Sequence, residues 1–366
     1  MGNVEWSPDA QAVGLVVGNK YRLERLIGQG AIAYVYEATH IDLGGPVAVK
    51  FLKPEHAQNA EIVSRFQAEA RAVARLRNPH VAMVMDLGSH GGAPFIVMEF
   101  LQGHDLRSLI NQHGPMPMEN VAEILIQACA ALAEAHGQGV VHRDIKPDNL
   151  FLVDPDQSWK SLKVLDFGIS KLNLQLTATK EDKLRLVQTK ASQVIGSPHY
   201  MSPEQIRSSR DVDGRSDLWS LGVVMYELLT GGQKPFTAND LPALVFEILR
   251  APPRPLPHGS AAVRPAFLQV MHKCLAKEVD ARYQTAADLA WGLFPFVPNR
   301  AMQQSVERAR HLTPAASFSV TEIIGHGRAV PMSTRTEPMA EVGLASAHQR
   351  TVPVPPNVPA RRYVAT

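Results

Sequence analysis

Apolar and polar residues alternate through Tyr21, Arg22, Leu23, Glu24, Arg25 and Leu26, and a second β-rich run covers residues 33–38. A period of two sends successive side chains to opposite faces of a strand, so the two runs predict a hairpin turning around Gly28 and Gly30. Further strands are expected over 47–52, 81–87 and 95–100, with turn residues between the last two. Among them the spacing changes: Ile62, Phe66, Val73 and Leu76 share one side of a predicted helix over 60–76. From Asp105 onward the helical period dominates, with helices expected over 121–136, 217–229, 241–249 and 286–294 and a Pro-rich turn at 252–257. A small sheet with one helix therefore precedes a larger, mainly helical region.

The ends read differently. Residues 1–20 form a leader ahead of the first alternating run. Beyond about Asn299 sustained periodicity is lost, and Ser, Thr, Pro and Arg recur with neither Lys nor Asp. Such a segment buries too little apolar surface to offset its chain entropy, so residues 299–366 are expected to be largely disordered; the alternative is a short docked helix near 302–311.

Composition narrows the field. A chain of 366 residues suits two lobes with an appendage better than one core. With 37 basic and 35 acidic residues the formal charge is only +2, which argues against a nucleic-acid partner. Two cysteines, Cys129 and Cys274, exclude a disulfide framework or a cysteine-built metal site and fit a reducing, cytoplasmic setting. Glu5 and Asp9 in an N-terminus without an apolar stretch argue against a signal peptide, and no run of about 18 apolar residues predicts a membrane span.

The chemistry concentrates in residues 140–150. His142-Arg143-Asp144 is followed by Lys146 and Asn149, so a carboxylate, an ammonium and a carboxamide stand at short fixed offsets. Phosphoryl transfer to a hydroxyl needs that set: Asp144 to orient the acceptor, Lys146 to steady the γ-phosphate and Asn149 to hold Mg²⁺. The stretch resembles the catalytic loop of the protein kinase family.

Other motifs extend the resemblance over about residues 21–296. Ile27-Gly28-Gln29-Gly30-Ala31, followed by Val35, is similar to the family's glycine-rich loop, with Ala33 where a third glycine usually stands. Glycines there let backbone N–H groups approach phosphate oxygens. In Val47-Ala48-Val49-Lys50, Lys50 resembles the lysine that contacts the α- and β-phosphates, and the resemblance makes Glu69 its carboxylate partner, with Glu61 as the rival. The run 96–101 resembles the inter-lobe hinge, which implies Met98 as gatekeeper, the Glu99 carbonyl and Leu101 amide as adenine partners, and Val35, Ala48 and Phe151 around the purine. Asp166-Phe167-Gly168 supplies a second metal ligand, so that Asp166 and Asn149 offer oxygens to a hard cation.

Gly196 to Glu204 resembles the end of an activation segment, with Ser197 where many relatives have Thr. The resemblance implies that Glu204 pairs with Arg282, that Asp217 holds the catalytic-loop backbone, and that Arg143 receives a phosphorylated loop residue, with Thr189 and Ser192 as candidate phosphosites. Lys146 after Asp144 points to serine/threonine specificity, and the Ser202-Pro203-Glu204-Gln205 run is similar to bacterial eukaryotic-like kinases. The resemblance implies an α+β, bilobal kinase fold: a kinase domain over 21–298, with a small lobe over 21–100 and a helical lobe over 101–298. The implied activity is ATP-dependent transfer to protein Ser/Thr hydroxyls, with Mg²⁺ or Mn²⁺ as the ion and a homodimer through the small lobe. The rival reading is a non-catalytic nucleotide-binding scaffold, for which Ala33 and Ser197 are the departures from pattern.

Overall fold

The computed structural model describes residues 12–153, 161–167, 198–207, 212–257, 260 and 262–297. By its contacts the chain divides into one unit of residues 1–314 with 360–366 and a second of 315–359, which lies wholly outside the described residues. The expected disorder beyond Asn299, and Thr189 and Ser192, also fall outside them.

The alternating runs form the small lobe's sheet. Its strands are β1 (Val16–Val17), β2 (Tyr21–Gln29), β3 (Ala33–His40), β4 (Pro46–Leu52), β5 (Val84–His90) and β6 (Ala93–Glu99). They lie in the order β1-β2-β3-β4-β6-β5, and each neighbouring pair runs antiparallel. Part of the leader thus belongs to the fold: Val16 and Val17 pair with Arg22 and Tyr21, and Ala12 and Val17 are buried. The strand expected from residue 81 starts at Val84, because Val81 forms a lone parallel bridge to Val164 instead.

After the short helix α1 (Pro54–Ala57), α2 (Ala60–Val73) begins where Asn59 accepts the N–H groups of Glu61 and Ile62. That cap satisfies donors left over at a helix start. Phe66, Glu69, Ala70 and Val73 form its buried face.

A second sheet consists of β7 (Gly103–Asp105), β8 (Leu150–Val153) and β9 (Ser161–Val164). The helical lobe contains α3 (Leu106–His113), α4 (Met118–Gly137), α5 (Pro203–Arg207), α6 (Arg215–Thr230), α7 (Leu241–Arg250), α8 (Pro265–Cys274) and α9 (Ala286–Leu293). Most of α4 and nearly all of α6 is buried, so these two apolar helices form the lobe's centre, flanked by α8 and α9. Gly222 of α6 makes that packing close: a Cβ there would stand 2.7 Å from Cys274 Cβ. Among the described helices none is long and apolar enough to cross a membrane.

Candidate active site

The cleft joins strand ends of the small lobe to the loop after α4. Ile27, Val35, Ala48, Met98, Leu101 and Phe151 are buried in one apolar cluster drawn from both lobes. The purine-pocket residues expected from the sequence are therefore brought together. The turn between β2 and β3 is tied by Gly30 N–H to the Ala33 carbonyl, at 2.8 Å, and by Lys53 N–H to the Ile32 carbonyl, at 2.9 Å. Gly28 and Gln29 end β2, and Ala31 falls in the turn itself.

Lys50 lies on β4 opposite Val35 and Ile96. Its ammonium donates to Asp166 Oδ1 at 2.7 Å. Glu69 from α2 lines the same cavity. Burial alone would pull the Lys50 ammonium down; the charges of Asp166 and Glu69, with Asp144 beyond, hold it above its ordinary value. Asp166 is thus hydrogen-bonded to Lys50, and the nearby Glu69 carboxylate adds a favourable charge. The chain reaches this arrangement because Asp166 adopts a left-handed backbone, with φ +46°, as does Arg143, with φ +65°. Both conformations are costly for residues that carry a Cβ.

The catalytic-loop candidates gather around the Asp144 carboxylate. Asn149 donates from Nδ2 to the Asp144 carbonyl at 2.8 Å and to Asp144 Oδ2 at 2.9 Å, while Lys146 Nζ stands 3.8 Å from Oδ2. Asp217, fully buried at the start of α6, accepts the backbone N–H of His142 at 2.9 Å and of Arg143 at 2.7 Å. His136, at the end of α4, binds the same carboxylate at 2.7 Å. Burial would raise the Asp217 carboxyl, but the His136 bond and the nearby imidazoles hold it below the usual range. His142 is buried and held below the ordinary imidazole value by that burial, against the pull of Asp217. Its Nε2 donates to the Leu165 carbonyl at 2.8 Å, fixing the loop to the residue before Asp166.

The anchor beneath this loop matches the sequence expectation. Arg282 reaches Glu204 with two parallel bonds, of 2.7 and 2.8 Å, and its side chain is fully buried. Burial acts to raise the Glu204 carboxyl, yet the bonds from Arg282 and Ser216 bring it down to about 2. Gln205 Nε2 donates to the Arg143 carbonyl at 3.1 Å, so the anchor also touches the loop.

Sequence reasoning missed several supports. The Glu99 carboxylate accepts Met83 N–H and Lys163 Nζ, both at 2.7 Å, which ties the end of β6 to β9. Lys163 lies on β9 one residue before its end at Val164, yet nothing in the chain marks it. A second cluster links Arg107 of α3, Glu227 of α6, Tyr200 and Asp148. Its members are distant in sequence, and only the fold brings them together.

A family model described as protein kinase domain matches residues 21–291. The serine/threonine-protein kinase Pkn1 of Myxococcus xanthus is 40% identical over 276 residues, which is 75% of this chain and 38% of that protein. The serine/threonine-protein kinase PknB of Mycobacterium leprae is 36% identical over 277 residues, 75% of this chain and 42% of that protein. The chain thus spans less than half the length of these relatives.

Proposed function

The chain belongs to the protein kinase family, and from that premise we propose that its cleft transfers the γ-phosphate of ATP to serine and threonine hydroxyls of proteins. The observation that carries the reading is the Asp144 carboxylate, oriented by Asn149 at 2.9 Å beside Lys146 and set on a loop whose backbone Asp217 clasps. An acceptor hydroxyl donating to Asp144 is aligned for attack and gives up its proton there late in the transfer. Lys146 offsets charge on the moving phosphoryl group, and Lys50 draws the α- and β-phosphates toward the cleft floor. The apolar cluster around Ala48 and Phe151 excludes water from the purine, with the Glu99 carbonyl and Leu101 amide as its hydrogen-bond partners. Most of the acceleration then comes from positioning and preorganised charge.

The family uses ATP with a divalent cation, and the donor atoms present fit one. Asn149 turns its amide nitrogen to Asp144, which leaves Oδ1 for a metal, and Asp166 gives one of its two oxygens to Lys50. Among the described residues no group of three His, Cys, Asp or Glu side chains could hold an ion alone, so phosphate and water oxygens complete the shell. Mg²⁺, with Mn²⁺ as substitute, suits this all-oxygen set and when bound neutralises charge on the phosphates.

Control enters through Arg143, which keeps a buried Nε that no described residue accepts; a phosphate on Thr189 or Ser192 would supply the acceptor. We place the activity in the cytoplasm, where ATP coexists with thiols such as the buried Cys129 and Cys274. Ile41 and Leu43 are among the apolar side chains exposed on the small lobe, where a homodimer would form.

The test is incorporation of labelled phosphate from ATP with Mg²⁺ or Mn²⁺, comparing the chain with Asp144→Asn. Label on Ser or Thr in the intact chain alone is the expected result. Equal labelling of both would overturn it, and ATP binding without transfer under either metal would leave the scaffold reading in its place.

A further inference from the structure

The carboxyl end of α7 is held by Lys277, a residue no motif singles out. Its ammonium donates to the Ile248 carbonyl at 2.7 Å and the Glu247 carbonyl at 3.2 Å. A helix end leaves its last carbonyls without intrahelical donors. Ala251 N–H reaches Glu247, and Lys277 supplies a donor to the Ile248 carbonyl beside it.

The same ammonium lies 4.0 Å from the Phe236 ring centroid and 4.9 Å from that of Trp219. These rings stack on each other at 5.5 Å, and the Arg282 guanidinium lies 5.0 Å from Trp219. One cation therefore joins the end of α7 to the aromatic platform of the Glu204–Arg282 anchor. α7 also packs against α5 and the turn Pro198–Tyr200, and Gln205 of α5 donates to the Arg143 carbonyl beside Asp144, on the side where an acceptor hydroxyl would reach it.

We propose that Lys277 is a positioning residue for the acceptor side of the cleft: charged, it clasps α7 to the anchor, and deprotonated, it lets α7 loosen. This rests on the phosphoryl-transfer reading above.

The groups around the ammonium set where it titrates. Burial, then the Arg282 charge, bring Lys277 down to about 8, against the opposing pull of Glu247. Glu247 accepts Thr237 N–H and lies 3.5 Å from Arg254; Lys273 of α8 is turned to the Tyr283 ring; Glu278, next in the chain, is exposed. His199 on the adjoining turn is held by burial below the ordinary imidazole value, and so titrates below this range. Lys277 is thus charged at pH 7 and mostly neutral at pH 9. The neutral amine keeps a weak bond to a carbonyl but loses charge assistance and the attraction to both rings.

The experiment compares the chain with Lys277→Met and Lys277→Arg, using myelin basic protein as acceptor at pH 7 and pH 9, with hydrogen exchange read over α7. The acceptor KM of the unaltered chain should rise about fivefold between the two pH values, the size expected when the cation–π attraction to the two rings is lost. Lys277→Met should show the raised KM already at pH 7 with no further change, and Lys277→Arg the low KM at both. KM for ATP and kcat should stay within about twofold, and α7 amides should exchange faster in Lys277→Met. A Lys277→Met variant with unaltered KM and α7 protection would overturn the proposal, as would a joint fall in kcat and ATP affinity. If the unaltered chain transfers no phosphate, the transfer reading fails, and α7 exchange alone decides the clasp.

Discussion

Two carboxylate–cation pairs do different work in neighbouring parts of the molecule. In the cleft, Lys50 takes one oxygen of Asp166, and both side chains keep some contact with solvent. At the anchor, Arg282 takes both oxygens of Glu204, and a serine hydroxyl also binds there. The cleft leaves valences open for phosphate and metal; the anchor closes every one it can. A pair with spare valence is built to be rearranged by a ligand, and a saturated pair is built to stay where it is.

Substitutions can sharpen that contrast. The largest effect is expected from Asp144→Asn, which should lower turnover about 10³-fold while shifting the midpoint of thermal unfolding by no more than about 2 °C. Parallel kinetic and melting measurements check it, and a large fall in melting temperature would place Asp144 with the anchor instead. Arg282→Met should show the opposite signature, a loss of about 3–5 kcal/mol in urea unfolding, because Glu204 is left partly buried without its partner. Adding Glu204→Gln should recover part of that loss.

The pH dependence carries the same signature. Glu204 titrates at about 2 in the fold against an ordinary 4.5, so its stabilisation is complete above pH 4.5 and is lost as pH falls toward 2. Urea midpoints at pH 5 and pH 3 should therefore separate more in the unaltered chain than in the double variant. The smallest expected change is that of Gly222→Ala, about 1–3 kcal/mol, since the new Cβ must displace Cys274 or Leu275 from beside α6. A neutral result in denaturant titration would mean that α8 can shift away without cost.

How much of this was legible beforehand depended on the kind of signal. The hairpin of β2 and β3, and helices such as α9, follow from periodicity that a sequence displays directly. The β7-β8-β9 sheet was missed because strands of three or four residues complete too few periods to stand out. Helix α3 is short as well, and α8 opens on Pro265, which reads as a turn unless it is recognised as a first helical residue. In the site, the loop residues were legible because they lie within a few positions of each other. The Glu204–Arg282 pairing was accessible only through resemblance, since 78 positions separate the partners. The bond between Lys50 and Asp166 spans 116 positions, and only the fold brings the two side chains together.

The left-handed torsions of Arg143 and Asp166 set two kinds of selection against each other. Glycine would occupy either position without strain, so a search for tougher variants that scored only folding would be drawn to it there. It would then discard the guanidinium and the carboxylate that the cleft is arranged around. A library sorted for heat resistance and one sorted for phosphate transfer should therefore part company first at these two residues.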